Sequence, residues 1–225
     1  MENLPRVREA IEIAASKVGR DPRDVTLVAI TKAHPVEVLE AALSAGLRDL
    51  GENRLEELEW KVGRLGKESA TWHMVGHVQS RKARQAAELA DLVHSVDTLK
   101  LARRISGFAL ERGKPVPVLV QANLASEESK SGFAREALLE SIHEILELGG
   151  LEVRGLMTMA PFVEDEGILR SVFSDLRRIH EDAGKLPGYR GRELSMGMTN
   201  DFELAVEEGS TMVRIGTALF GERPR

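Results

Sequence analysis

Val25-Thr26-Leu27-Val28-Ala29-Ile30-Thr31-Lys32-Ala33-His34-Pro35 is the stretch on which the fold is read. Its first six residues are rich in β-branched and aliphatic side chains without polar alternation, the pattern of a strand covered on both faces in a parallel sheet. Pro35 stops the strand, and Val36, Leu39 and Leu43 then recur at helical spacing. Lys32 therefore stands at a strand-to-helix turn, the end of the strand at which α/β sheets bind ligands. One lysine at such a turn is ordinarily just solvated. Its meaning depends on what the other strand ends carry.

Working outward, the pattern repeats. Val7, Ala10, Ile11 and Ala14 share one face of a helix predicted over 3–18, which Gly19 closes. Strand signals follow over 47–52, 71–76, 92–96, 117–123, 151–160, 193–197 and 212–221. Helical patterns lie between them over 53–65, 81–90, 98–112, 134–148, 165–183 and, briefly, 201–208. Asp97 is expected to cap the helix over 98–112. Eight alternations of strand and helix imply an α/β fold in which a closed (β/α)8 TIM barrel removes the exposed sheet edges, with one extra amino-terminal helix. An open doubly wound sheet is the competing fold, but no Gly-x-Gly-x-x-Gly follows the first strand, where a dinucleotide would need it.

Composition bounds the function. A chain of 225 residues with 42% hydrophobic content can bury one sizeable core, so residues 1–225 are expected to form a single domain. There is no run of membrane-spanning length and no signal or transit character at the amino terminus, which points to the cytoplasm. With no Cys, disulfides, thiolate metal sites and Cys nucleophiles are excluded together. A net charge of -5 argues against nucleic acid as a partner. A small molecule is the expected ligand.

The last two strand ends read Leu194-Ser195-Met196-Gly197-Met198-Thr199-Asn200-Asp201 and Arg214-Ile215-Gly216-Thr217-Ala218-Leu219-Phe220-Gly221. In a TIM barrel the loops after strands seven and eight commonly hold phosphate, and Ser195, Gly197, Gly216 and Thr217 fit that requirement. Taken alone, the glycines read as turn residues and the hydroxyls as caps. Combined with a strand-end lysine across the same mouth, they point to an aldehyde cofactor carrying a phosphate, and pyridoxal phosphate meets that description. Arg214, just before the Gly-Thr pair, can face the ring nitrogen of such a cofactor. A guanidinium does not give up its proton, so it would leave that nitrogen unprotonated and the ring a poor electron sink. The plainer role for Arg214 is an ion pair at the barrel mouth with Asp201 or Glu203.

These residues carry a resemblance. Thr31 and Lys32 before Pro35, Gly51-Glu52-Asn53, Trp72-His73-x-x-Gly76-His77-x-Gln79-Ser80, Glu-Ser-Lys-Ser-Gly over 128–132, Gly155-Leu156-Met157-Thr158, Leu194 to Met198 and Arg214 to Gly221 together resemble the YggS/PROSC family of pyridoxal phosphate homeostasis proteins. Its fold is the barrel also found at the amino end of bacterial alanine racemases. The resemblance implies Lys32 as the covalent (internal aldimine) site of pyridoxal 5'-phosphate. It also implies Ser195, Met196, Gly197, Gly216 and Thr217 around the phosphate, Arg214 at the pyridine nitrogen and Asn53 near the ring. Two departures stand out: Ala33-His34 replaces the family's frequent Thr-Lys before Pro35, and Thr199 replaces a Ser.

The expected function is to hold the cofactor on Lys32 and to buffer it or deliver it to apo-enzymes, as a monomer. The alternative is a pyridoxal-phosphate-dependent racemase or related enzyme. That chemistry needs a second base, a Tyr which alanine racemases take from a further carboxy-terminal β domain. The one Tyr here, Tyr189, sits in a Gly-Tyr-Arg-Gly turn without that motif. His73 and His77 form no metal pair on this reading, since they need not share a face and have no third ligand at suitable spacing. His77, Gln79 and Ser80 are expected near the mouth, Lys130 and Ser131 in an exposed loop, Asp201 and Glu203 at a helix amino terminus, and the charged run over 54–61 on a solvated helix face.

Overall fold

The amino-terminal helix α1 (Leu4–Lys17) buries Leu4, Val7, Ile11 and Ala14 on one stripe, as its periodicity requires. Gly19 follows with a φ of +70°. From there strands and helices alternate: β1 (Thr26–Ile30), α2 (Val36–Ser44), β2 (Asp49–Glu52), α3 (Leu55–Leu65), β3 (Thr71–Met74), α4 (Ala83–Leu89), β4 (Leu92–Val96), α5 (Leu99–Arg112) and β5 (Val116–Asn123). The second half adds β6 (Phe133–Ala134), α6 (Arg135–Leu146), β7 (Leu151–Thr158), α7 (Glu166–Ala183), β8 (Glu193–Met198), α8 (Phe202–Glu207), β9 (Met212–Ile215) and α9 (Thr217–Phe220). The computed structural model describes residues 1–125 and 131–222. Lys130 and most of the Glu-Ser-Lys-Ser-Gly motif lie outside the described residues.

Strand order is β4-β3-β2-β1-β9-β8-β7-β5, and a further pairing of β4 with β5 closes the sheet into an eight-stranded parallel barrel. This is the TIM barrel that the alternation implied. α1 lies outside it against α8, where Arg20 donates to the carbonyls of Val206 and Ser210 and Lys17 pairs with Glu207 at 2.9 Å. The core has two layers, as inward and outward side chains alternate along each strand. Trp72, Leu101, Ile105, Leu138 and Phe173 fill the shell between strands and helices, while Leu92, Leu119, Met157 and Met212 pack inside the barrel.

Three local expectations are corrected. The stretch 212–221 is not one strand: it breaks at Gly216, whose φ of -114° and ψ of -80° leave the extended region, into β9 and the single turn α9. Thr98, not Asp97, caps α5, its hydroxyl accepting from the Leu101 amide at 3.2 Å. Asp97 instead accepts from His77 Nδ1 at 2.7 Å. The short β6, absent from the sequence reading, adds to the edge of β5 at Ala122 and Asn123.

Among the described residues no helix is long and apolar enough to cross a membrane, and no group of three or more His, Asp or Glu side chains could hold a metal ion.

Candidate functional site

Parallel closure places the carboxyl ends of all eight strands at one mouth, and the site is assembled there from strands adjacent in space but distant in sequence. β1 pairs with β9 so that Val28 is opposite Arg214, and with β2 so that Ile30 is opposite Gly51. Lys32, Asn53 and Gly216, each just past one of these strands, therefore converge. They line one cavity of about 270 Å³ with Arg214, Thr217, His34, Thr199, Asp201 and the 159–162 segment. That volume sits at the small end of ligand pockets, which start at roughly 300 Å³.

Each wall has a local cause. Gly76, after β3, passes so close to Asn53 that a Cβ there would stand 2.1 Å from the Asn53 carbonyl oxygen; only glycine allows the approach that seats Asn53 at the mouth. Thr199 Oγ1 accepts from the Ala218 amide at 3.4 Å, tying the turn after β8 to α9. His34 packs against Phe220, ring centroids 5.1 Å apart, and so fills the wall.

The turn bearing Lys32 is held from below. Ala33 adopts a φ of +62°, a left-handed conformation that costs an L-residue about 1 to 3 kcal/mol. Its amide donates to Glu57 Oε2 at 2.8 Å. Underneath, Lys61 is 1% exposed and its ammonium donates to the Thr31 carbonyl at 2.7 Å and to Glu52 Oε1 at 2.5 Å, with Glu57 at 3.5 Å. Thr31 Oγ1 also donates to Glu52 Oε1, leaving Glu52 Oε2 buried with no hydrogen-bond partner. The expected solvated face over 54–61 is thus corrected at its end: Lys61 points inward. Spacing could not show this, because a lysine stem packs like an apolar chain.

Arg214 is 4% exposed, donating through Nη1 to Ser195 Oγ at 2.6 Å and through Nη2 to the Thr158 carbonyl at 2.9 Å. Burial pulls its pKa down to about 10, against the attraction of Asp201, so it remains a cation at neutral pH. The expected ion pair with Asp201 or Glu203 is not what holds it; a hydroxyl and a backbone carbonyl do. Asp201 also does more than sit at a helix terminus: it lines the cavity, and Oδ1 accepts from the Met198 amide at 2.5 Å.

Of the residues read from sequence, Lys32, Asn53, Arg214, Gly216 and Thr217 share the cavity wall. Ser195, Met196 and Gly197 do not. Ser195 is fully buried inside the barrel, Met196 lies in the shell facing the helices, and Gly197, at φ +94°, has no room for a Cβ beside Ala205. Thr199, just past the end of β8, is the residue of this strand end whose hydroxyl-bearing side chain borders the cavity. Ser195 lies within β8 and Thr199 just past it, a difference that the sequence alone does not display. Tyr189 donates or accepts at His180 Nδ1, 2.8 Å away, in the segment leading into the amino end of β8, and does not line the cavity.

Burial raises the carboxyl pKa of both Glu52 and Asp201, opposed by Lys61 in one case and by the Met198 amide and Arg214 in the other. A raised folded-state pKa means that the folded protein binds the proton more tightly, so this contribution to stability is present below the unfolded value, about 4, and lost as pH rises through the folded one. The stability of the parent relative to Asp201→Asn is therefore expected to fall from pH 4 toward neutrality in urea denaturation. A difference that rises with pH would contradict the assignment.

The profile of the alanine racemase N-terminal domain family matches residues 3–224. The chain is 41% identical over 223 residues to the pyridoxal phosphate homeostasis protein of Pseudomonas aeruginosa, covering 99% of this chain and 95% of that one. To the protein of the same name in Aquifex aeolicus it is 37% identical over 222 residues, covering 99% and 97%. Among solved structures, PipY of Synechococcus elongatus with pyridoxal phosphate bound superposes with a TM-score of 0.83 at 36% identity, covering 94% of this chain and all of that one. An alanine racemase of Clostridium difficile shares the fold, with a TM-score of 0.76 at 17% identity over 58% of its length. The chain belongs to the pyridoxal phosphate homeostasis family, built on the alanine racemase N-terminal domain.

Proposed function

We propose that this protein binds pyridoxal 5'-phosphate on Lys32 and serves intracellular homeostasis of that cofactor, holding it and releasing it to apo-enzymes in the cytoplasm as a single chain. The observation that carries the reading is that one cavity is lined by a primary amine, a buried guanidinium and a Gly-Thr turn. When bound, the cofactor brings an aldehyde that a primary amine captures as an imine with loss of water. Family membership supports the same reading, as does the bound cofactor in PipY.

The chain's own residues divide the work. Lys32 supplies the amine. Thr199, Gly216 and Thr217, on the turns after β8 and β9, offer hydroxyl and amide donors for a phosphate. Arg214, unable to release its proton, accommodates an unprotonated ring nitrogen. Asn53 borders the ring, and His34, packed on Phe220, lines the side.

The test is direct. Purified protein given pyridoxal phosphate should develop a visible absorption band, and borohydride should fix the label on the peptide containing Lys32. No band would end the reading. Thr217→Val should weaken retention by about 1 to 3 kcal/mol, the worth of one charge-assisted hydrogen bond, in a dialysis or competition assay. Incubation with L- and D-amino acids should give no turnover at an ordinary enzyme rate; turnover would favour the racemase alternative.

A further inference from the structure

The interior of the barrel is apolar where Leu92, Leu119, Met157 and Met212 meet, yet a continuous polar chain crosses it. Asp49 opens β2 at the amino-terminal rim, with its side chain 31% exposed. Asp49 Oδ1 lies 3.1 Å from His73 Nε2, His73 Nδ1 lies 2.9 Å from His94 Nε2, and His94 Nδ1 lies 2.9 Å from Ser195 Oγ. Arg214 Nη1 completes the chain at 2.6 Å from that hydroxyl, and Arg214 lines the cavity at the opposite rim. Between its two ends the chain is buried throughout.

Counting protons fixes its direction. Arginine only donates, so Ser195 Oγ accepts from Arg214; the arrangement that also gives the Ser195 hydrogen an acceptor within the chain directs it at His94 Nδ1. In that arrangement His94 Nδ1 is bare, which places the hydrogen of His94 on Nε2, directed at a bare His73 Nδ1. His73 then carries its hydrogen on Nε2 and donates to Asp49. Four bonds use one proton each, and every donor points from the cation toward the carboxylate. Burial, with His73 and Arg214 nearby, holds the His94 pKa well below the usual histidine range, in keeping with a neutral ring. Aligned bonds of this kind polarise one another in a low-dielectric interior.

We propose that Asp49, His73, His94 and Ser195 are positioning residues for the cofactor: they lock the Arg214 guanidinium in one orientation at the cavity and transmit the Asp49 charge to it from the far rim. The role of Arg214 toward the ring nitrogen rests on the cofactor reading above; the chain itself does not. A cofactor in this cavity is thereby sensitive to a side chain on the opposite face of the barrel.

Two measurements test this separately. In cofactor-free protein with 15N-labelled histidine, NMR should show His94 and His73 protonated on Nε2 only. In Ser195→Ala, His94 should lose that single tautomer. With pyridoxal phosphate bound, Asp49→Asn should shift the visible absorption maximum, because the amide keeps an acceptor for His73 and nearly the same shape but lacks the charge. A role limited to filling space would leave that maximum unmoved. His94 protonated on Nδ1 in the parent protein, or an unchanged band in both Asp49→Asn and Ser195→Ala, overturns the proposal. Absence of any band in the parent protein would instead remove the cofactor reading and leave the tautomer result to decide the chain.

Discussion

Lys32→Ala is expected to abolish borohydride-stable labelling and the visible band while leaving weak, dialysable binding of pyridoxal phosphate. The reason is that the amine and the anion-binding wall belong to different elements. Lys32 follows β1, whereas Thr199, Gly216 and Thr217 follow β8 and β9, and the Ala218 amide on Thr199 Oγ1 ties those two turns to each other. Two or three charge-assisted hydrogen bonds, each worth about 1 to 3 kcal/mol, can keep a phosphate in place with modest affinity once the covalent link is gone. Absorption spectroscopy, reduction with mass analysis and equilibrium dialysis read the three quantities independently. Labelling that persists in Lys32→Ala at full stoichiometry would place the cofactor on another lysine and dismantle the site as described.

Lys61→Met should destabilise the fold by about 3 to 5 kcal/mol, the usual consequence of removing one partner of a buried ion pair. Methionine fills much of the lysine stem's volume, so the loss is electrostatic rather than steric. Glu52, already with one oxygen lacking a partner, would keep a single hydrogen bond from Thr31, and the Thr31 carbonyl would lose its ammonium donor. Urea denaturation at pH 7 reads the effect. The pair Lys61→Met with Glu52→Gln should recover part of the stability, because a neutral amide costs less to bury than an unpaired carboxylate. A loss under about 1 kcal/mol for the single variant would mean the pair contributes little. Cofactor retention should weaken as well, since Lys61 and Glu57 support the left-handed Ala33 turn that aims Lys32.

Legibility was uneven for physical reasons. Strand β4 and the helices over 36–44 and 166–183 could be read closely because burial on one stripe or on both faces imposes a period that the sequence displays. The break at Gly216 was hidden, since Ala218, Leu219 and Phe220 are equally apolar in a strand or in a helical turn. His94 lies mid-strand in β4, where every residue is buried and no alternation marks it. A signal existed there: a polar ring on the inward face of a barrel strand must find a partner. No local pattern could name that partner, because His73, Ser195 and Arg214 meet it from three other strands.

By itself the sequence determined the repeating strand-helix architecture, the strand-end lysine, the paired glycine-hydroxyl turns and the family, all properties of short segments whose chemistry is local. Tertiary structure alone decided that Thr199 and not Ser195 reaches the cavity, that Lys61 is buried under the Lys32 turn, and that a hydrogen-bonded chain joins the two rims. Those depend on barrel closure and register, which bring residues more than a hundred positions apart within hydrogen-bonding distance. Information of that kind resides in how strands pair, and a single strand's composition does not carry it.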